Sequence, residues 1–386
     1  MIKFKTPLTV IAGPNGSGKT TVCQALATAG RLVSESPQIV MDEVSQGDWD
    51  FIKNKWEKTN NPYFVTYVTG IGGPLYWGIR LNKNTVWDIL NEDIRLYPET
   101  SSEFIDLLIR KGHNIEAKLY NSETGERKSV KEVKKLPSYL STIVEETKEQ
   151  YPEMWTLKEN IKIKYIPFLD PVRLRQKTNK PVLGDTGQNF GYFLANFKRE
   201  HPAKFKEIVT GMKEYFPWLV DVMTKGTKFG WTEIQVKVKP DDDEENVIFR
   251  SWQINDGLLR LLALATIPHA EPDLKMLVFE EPENGIHPKL IGATVDMLRS
   301  FKNIQVVLTT HSPVLLNYLK PEEVVVLVKQ GKSGPVAVPF TELDKVEERL
   351  KYFDVGDILF HENEWELAKP YLKKLKEQNE KAKLKK

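Results

Sequence analysis

The chain has 386 residues, 40% of them hydrophobic and 28% charged, which is typical of a soluble globular protein with one large or two ordinary domains. Its formal net charge of +2 is close to neutral, so the overall charge does not indicate nucleic-acid binding, although a local basic surface stays open. The single cysteine, Cys23, excludes an internal disulfide and fits the reducing cytoplasm. The most apolar run, 258–267, is interrupted by Arg260 and too short to cross a bilayer, so we expect a cytoplasmic protein without a signal peptide or a membrane partner.

The first predicted element is an apolar strand that runs into a glycine-rich turn. Residues 8–12 read Leu-Thr-Val-Ile-Ala, and residues 13–20 read Gly-Pro-Asn-Gly-Ser-Gly-Lys-Thr, the phosphate-binding loop pattern between a buried strand and a helix. The backbone N–H groups of such a loop and the positive end of the helix attract phosphate oxygens. A glycine-rich turn with a chance lysine is disfavoured, because every fixed position matches. The predicted nucleotide-binding residues are Gly13, Pro14, Asn15, Gly16, Ser17, Gly18, Lys19, Thr20 and Thr21.

Two residues of this loop have particular expected roles. Lys19 is expected to reach the β- and γ-phosphates of the nucleotide. The Thr20 hydroxyl is expected to be a ligand of Mg²⁺.

The middle of the chain changes pattern twice. Alternating strands predict antiparallel hairpins, whereas residues 129–223 look largely helical and are divided by prolines. The predicted hairpins are 64–68 with 75–80, the segment around 114–126, and 231–239 with 246–252. The acidic turn 240–245 between the last two strands is interpreted as solvated rather than as a metal site.

Basic residues concentrate in the helical region and at the end of the chain. They fit either a solvated lobe, which is the commoner case, or a surface that binds a polyanion such as DNA without reading its sequence. The lysine-rich end, 369–386, is predicted to be a helix that frays into a disordered tail. The basic residues of the helical region are Lys162, Lys164, Arg173, Arg175, Lys177 and Lys180.

A second polar segment follows an apolar strand far from the phosphate loop. Residues 276–279 read Met-Leu-Val-Phe, and residues 280–288 read Glu-Glu-Pro-Glu-Asn-Gly-Ile-His-Pro. In a parallel sheet, this strand would deliver both carboxylates to the edge that carries the phosphate loop. We assign Glu280 to the metal ion and Glu281 to the attacking water. Two carboxylates that merely cap a surface strand are the less favoured alternative.

A third apolar strand, 306–310, runs into His311. A lone histidine is usually structural, but this one follows a buried strand and would lie on the same edge as Glu281. There an imidazole could hydrogen-bond the γ-phosphate or the attacking water.

Together these three elements resemble the ATP-binding-cassette (ABC) type ATPases of the SMC/RecF group. More closely, the chain resembles compact AAA-annotated ATPases related to RecF and to the OLD-family ATPase domain. Their Walker B segment commonly reads as residues 280–288 do, and their H-loop reads Thr-His-Ser-Pro, as at 310–313. The resemblance extends from Val10 to about Lys329 and implies ATP and Mg²⁺ as cofactors.

The resemblance also implies a signature segment that contacts the nucleotide of another subunit. Its positions are Asn255, Asp256 and Gly257, at the start of an apolar helix. Two protomers would then enclose two ATP molecules head to tail as a homodimer. In this chain Asn255 replaces the usual serine, Glu280 replaces the usual aspartate, and neither Gln38 nor Gln46 is an obvious match to the family's Q-loop glutamine. Neither the long coiled coil of RecF-type proteins nor a toprim nuclease fits the chain.

The predicted architecture is an α/β P-loop head with a mostly parallel core sheet, an antiparallel β subdomain and an inserted helical lobe. The leading hypothesis is an ATPase that dimerises around ATP and serves DNA maintenance or anti-phage defence with a nuclease or another effector protein. A kinase similar to zeta toxins, with Asp42 as its catalytic carboxylate, and a nucleotide-gated scaffold are the alternatives. The expected segments are 1–60 (core with phosphate loop), 61–128 (β subdomain), 129–228 (helical lobe), 229–345 (core with signature, Walker B and H-loop) and 346–386 (tail).

Overall fold

The computed structural model describes most of the chain. The described residues are 4, 6–45, 63–70, 73–83, 87–98, 104–120, 124–133, 137–180, 183–227, 231–239, 245–270, 273–329 and 335–383. The chain divides into two compact units, the first made of Met1–Cys23 with Lys164–Lys386 and the second of Gln24–Ile163.

The bounds of the elements follow in chain order. The strands are β1 (Leu8–Ala12), β2 (Tyr63–Gly70), β3 (Gly73–Lys83), β4 (Trp87–Leu96), β5 (Ile105–Lys111), β6 (Asn114–Tyr120), β7 (Arg127–Val133), β8 (Ile163–Ile166), β9 (Leu219–Gly226), β10 (Thr232–Val238), β11 (Val247–Arg250), β12 (Met276–Glu280), β13 (Gln305–Thr310), β14 (Val324–Lys329) and β15 (Pro335–Pro339). The helices are α1 (Lys19–Leu32), α2 (Pro37–Ser45), α3 (Pro152–Asn160), α4 (Pro171–Arg175), α5 (Phe190–Glu200), α6 (Pro202–Tyr215), α7 (Asp256–Ala270), α8 (Pro288–Arg299), α9 (Pro313–Leu316), α10 (Val346–Arg349), α11 (Val355–His361) and α12 (Glu364–Lys383).

The central sheet of the first unit has the strand order β15-β14-β1-β13-β12-β8. β1 lies between β13 and β14 and is parallel to both, and β12 is parallel to β13. All five side chains of β1 are buried, as expected for a strand covered on both faces. The register pairs Ala12 with Thr310 and Glu280 with Thr309, so these three strands end at the same edge of the sheet.

A smaller antiparallel sheet, β11-β10-β9, also belongs to the first unit. The inward side chains of β10, such as Ile234 and Val236, share one hydrophobic core with α5, α6 and α7. Within it, Phe193 stacks on Phe197, and Phe197 stacks on His269 of α7. This core fixes the position of α7, the helix that begins with the expected signature.

The second unit is built on a six-stranded antiparallel meander from β2 to β7. Its core contains the fully buried Trp77, whose indole N–H donates to Glu92 over 3.0 Å. Glu92 also accepts hydrogen bonds from the backbone N–H of Tyr139 (2.9 Å) and from Ser138, and it faces the Arg110 guanidinium at 3.6 Å. A buried carboxylate needs such partners, and here they fasten the segment after β7 to β4.

The predicted fold class, α/β with a parallel core sheet and an antiparallel β region, is confirmed. The expected helical region, which begins at residue 129, contains most of β7 and the strands β8 and β9 in addition to its helices. β8 has only four residues, and its pairing in the sheet rather than any local pattern makes it a strand. In the described part of the chain no helix combines the length and the apolarity that crossing a membrane requires.

Candidate functional site

The phosphate loop lies between the end of β1 and the start of α1. Gly13, Gly16 and Gly18 have φ angles of 151°, 74° and 97°. Glycine is required most clearly at position 13, because a Cβ there would lie 2.9 Å from the carbonyl oxygen of Leu327 and equally close to the Ser17 hydroxyl. The loop therefore has a backbone conformation that only glycine adopts without strain.

The remaining loop residues are arranged around this backbone. Pro14, Asn15 and Gly16 are exposed, as are Thr20 and Thr21, so this side of the loop is open to a ligand. Ser17 is buried, and its hydroxyl has no hydrogen-bond partner among the described residues. A buried polar atom of this kind is expected where a ligand supplies the missing partner.

The Lys19 side chain folds back over the loop. Its Nζ donates to the carbonyl oxygens of Gly13 (2.7 Å) and Pro14 (3.1 Å), and only 7% of the residue is exposed. Burial lowers the pKa of Lys19, and the negative charges of Glu281 and Glu280 oppose this shift. An ammonium group held between carbonyl oxygens is ready to exchange them for phosphate oxygens.

Thr20 and Glu280 meet where α1 begins and β12 ends. The Thr20 hydroxyl donates to Oε2 of Glu280 over 2.7 Å. A hydroxyl and a carboxylate are hard oxygen ligands of the kind that Mg²⁺ prefers, and Mg²⁺ usually takes only one or two of them from the protein and completes its shell with water and phosphate. The donor set therefore fits a magnesium ion bound beside the phosphate loop.

Glu281 follows directly and has a φ angle of 44°, which is rare for a residue other than glycine. Its backbone N–H donates to the carbonyl oxygen of Thr309 over 2.9 Å. His311 Nδ1 lies 2.8 Å from Oε1 of Glu281, and Asn284 Nδ2 donates to Oε2 over 2.7 Å. Burial alone would raise the pKa of Glu281. The hydrogen bonds from Asn284 and His311, together with the electrostatic attraction of His311 and Lys19, outweigh burial, so the pKa is lowered. The carboxylate is therefore ionised and oriented.

A second carboxylate joins the loop after β12 to the loop after β13. The Thr310 hydroxyl donates to Oε1 of Glu283 over 2.5 Å and accepts from the backbone N–H of Ser312 over 2.9 Å. Burial raises the pKa of Glu283. The sequence motifs by themselves gave no role to Glu283 or Thr310. Their hydrogen bond joins the two loops that carry Glu281 and His311.

Two residues of the C-terminal segment also reach the phosphate loop. A cavity of about 190 Å³ is lined by Gly13, Pro14, His311, Phe360 and Glu364. The sequence analysis did not assign Phe360 or Glu364, because they lie beyond the last recognisable motif. Glu364 places a negative charge where phosphate is expected.

The expected signature residues occupy a different place. Asn255 caps α7, since its Oδ1 accepts from the backbone N–H groups of Gly257 (2.8 Å) and Leu258 (3.3 Å). Asp256 forms an ion pair with Arg175. None of the hydrogen bonds found between described residues joins 255–257 to the phosphate loop. The structure thus joins Thr20 with Glu280 and Glu281 with His311 by hydrogen bonds and places Lys19 on the loop carbonyls, whereas the hydrogen bonds of Asn255 are made within its own helix.

The sequence analysis offered Gln38 and Gln46 for the Q-loop glutamine and Asp42 for the catalytic carboxylate of a kinase. Gln38 and Asp42 belong to the second unit. Gln38 lies in α2, where its amide contacts the carboxylate of Asp42. Gln46 lies outside the described residues.

A residue that no sequence motif indicated is Tyr165 of β8, whose hydroxyl donates to Oε1 of Glu280 over 2.5 Å. Its only sequence signal is a short apolar alternation before Pro167.

Residues 8–317 match the protein-family model described as "AAA domain, putative AbiEii toxin, Type IV TA system". The chain belongs to this family. It is therefore a P-loop ATPase of the AAA type, and the resemblance stated from its motifs is confirmed. No protein of the curated set matches the sequence.

Several solved structures resemble this AAA-family chain, and they are head domains of SMC proteins. An SMC head bound to the C-terminal winged-helix domain of ScpA shares 14% identity over 90% of this chain and 94% of its own, with a TM-score of 0.46. An SMC head with ScpA derived from Pyrococcus furiosus shares 11% identity over 91% and 94% of the two chains, with a TM-score of 0.43. The SMC head of Thermotoga maritima shares 11% over 88% and 92%, with a TM-score of 0.38.

Proposed function

We propose that the protein hydrolyses ATP in a Mg²⁺-dependent reaction. The observation that carries the proposal is the arrangement at one sheet edge, where the Thr20–Glu280 pair (2.7 Å) and the Glu281–His311 pair (2.8 Å) flank the buried Lys19. The Thr20–Glu280 pair suits a metal ion, and the Glu281–His311 pair suits a water molecule. Hydrolysis needs both a metal site and a water site, whereas nucleotide binding alone needs no site for an attacking water molecule.

The reaction follows from what each side chain does. The loop amides and Lys19 bind the β- and γ-phosphates, and Thr20 and Glu280 hold Mg²⁺, which when bound neutralises charge on the phosphate oxygens. The ionised Glu281 accepts a hydrogen bond from a water molecule and directs its oxygen at the γ-phosphorus. As that bond forms, the bond between the γ-phosphorus and the bridging oxygen of ADP breaks, the proton of the water molecule passes to Glu281, and ADP and phosphate leave. Since an ionised carboxylate only accepts, His311 donates to it through Nδ1.

The test of this assignment is the variant Glu281→Gln. Because general-base residues contribute about 10²–10⁴-fold to turnover, ATP hydrolysis should fall by that order while ATP still binds. Glu347→Gln, an exposed glutamate of the same unit, is the matched control. Unchanged turnover in Glu281→Gln would remove Glu281 from the mechanism. Transfer of phosphate to a sugar or a peptide rather than to water would favour the kinase alternative.

We further propose that the active form is a head-to-tail homodimer. The signature residues 255–257 lie at the N-terminus of a long helix, and no hydrogen bond found between described residues joins them to the phosphate loop of their own chain. A helix N-terminus attracts anions, and a second copy can bring it to the γ-phosphate. Asn255 uses Oδ1 as the helix cap, which leaves its amide nitrogen to donate to that phosphate.

The cellular role that we propose is defence or DNA maintenance with an effector such as a nuclease, in keeping with the toxin named in the family description. Most basic residues of the helical region form ion pairs within the protein, among them Lys164 with Asp185 and Arg175 with Asp256. DNA binding is therefore assigned to the exposed lysines of α12, such as Lys373 and Lys376. Duplex binding should weaken with added salt and disappear when these lysines are replaced by glutamine.

A further inference from the structure

Both oxygens of the Glu280 carboxylate are held by hydroxyl groups from different elements. Thr20 at the start of α1 donates to Oε2 over 2.7 Å, and Tyr165 of β8 donates to Oε1 over 2.5 Å. β8 is the edge strand beside β12, so Tyr165 approaches Glu280 from the side opposite to β13. The carboxylate is thereby fixed in one orientation, with Oε2 next to the threonine.

We propose that Tyr165 is a positioning residue that holds Glu280 in the orientation required for binding the magnesium ion. The inference rests on the proposed function and adds to it a residue outside the recognised motifs. A glutamate has one more rotatable bond than an aspartate and loses more conformational freedom when it is fixed. The hydrogen bond from Tyr165 to Oε1 restricts the extra rotation of the glutamate and leaves Oε2 to face the metal.

The properties of Tyr165 suit an anchor rather than a ligand. Its side chain is partly buried, and its hydroxyl donates to Oε1 of Glu280 over 2.5 Å. As the donor in this hydrogen bond, the hydroxyl orients the carboxylate instead of binding the metal ion itself. Partners that orient metal-binding carboxylates in this way typically contribute 10–100-fold to metal affinity.

The test is Mn²⁺ binding, measured by electron paramagnetic resonance on the full chain with a slowly hydrolysed ATP analogue. In Tyr165→Phe the Mn²⁺ Kd should rise by about ten-fold or more, whereas binding of the analogue without metal and the melting temperature should stay near those of the original protein. Tyr192→Phe, another partly buried tyrosine of the same unit, is the matched control and should bind Mn²⁺ normally. Unchanged Mn²⁺ affinity in Tyr165→Phe would overturn the inference.

A double-mutant cycle separates positioning from general destabilisation. If Tyr165 acts through Glu280, Tyr165→Phe should have little further effect on Mn²⁺ affinity in a Glu280→Gln background. Additive effects would contradict the inference even if the single variant were less stable. The proposed function fails separately: it fails if the unaltered chain with the analogue binds no Mn²⁺, or if Thr20→Ala and Glu280→Gln both bind Mn²⁺ normally.

Discussion

The Nδ1 atom of His311 lies 2.8 Å from Oε1 of Glu281. The two residues are 30 positions apart and meet because β12 and β13 are parallel neighbours that end at the same edge of the sheet. The pKa of Glu281 is lowered, so its carboxylate is ionised and can only accept, and the imidazole donates to it through Nδ1. The contact also connects the residue proposed to direct water with the histidine expected to hydrogen-bond the γ-phosphate or the attacking water.

The contact predicts how activity depends on pH. The pKa of Glu281 is lowered from its ordinary value of 4.5, so the contacts contribute to stability above about pH 4.5 and are lost as the pH falls through the lowered pKa. His311→Ala removes a hydrogen bond to the charged form and should move the acid limb of kcat/KM to higher pH. Asn284→Ala should move it in the same direction, and His113→Ala, an exposed histidine of the second unit, should leave it in place. A limb that does not move in His311→Ala would contradict the assignment.

Replacing Lys19 by methionine should abolish nucleotide binding at the concentrations that saturate the original protein. The ammonium group is the only side-chain cation that the described structure places on the loop carbonyls. Methionine keeps most of the side chain's length and removes its charge. Isothermal titration with ATP measures the effect. Lys351→Met, on an exposed position, should bind ATP normally. Binding that survives in Lys19→Met would mean that the loop amides suffice.

Glu364→Gln should strengthen ATP binding a few-fold at low salt. Its carboxylate lines the cavity beside Gly13 and Pro14, where it repels the phosphate charge. The gain should shrink as added salt screens the charges. Titrations at two salt concentrations measure it. If the variant binds ATP more weakly, Glu364 instead supports the loop.

Asn255→Ala should cost about 1 kcal/mol of stability, because it removes the cap of α7. Asn255→Ser should restore most of this stability, since serine also caps helices. Chemical unfolding measures both. Light scattering in the presence of ATP measures whether Asn255→Ala, which loses both the cap and the amide donor, still dimerises. Dimerisation that persists in Asn255→Ala would remove the residue from the interface.

The part of the site that motifs describe could be predicted from the sequence. The strands before Gly13, Glu281 and His311 are short apolar runs typical of parallel sheets, and parallel strands deliver such residues to one edge. Glu283 was not predicted, because its role depends on a contact with Thr310 across two strands. Tyr165 was missed because β8 is four residues long, within a region whose prolines favour short helices.

The C-terminal residues were missed for a different reason. Phe360 and Glu364 follow the last motif, and nothing in their local pattern points to phosphate. Only tertiary packing reveals them: Gly356 of α11 donates its backbone N–H to Asn317 just after α9, and this contact fixes the C-terminal segment beside His311.

The central claim is that a second copy of the chain completes the hydrolytic site. Mixing two inactive variants tests this claim most directly. Lys19→Met lacks the phosphate-loop half and Asn255→Arg lacks the signature half, so neither should hydrolyse ATP alone. In a mixed dimer, one of the two sites regains both intact halves. An equal mixture should therefore recover about a quarter of the original activity, if subunits exchange at random and the two sites are independent. A mixture no more active than its separate components would contradict the account.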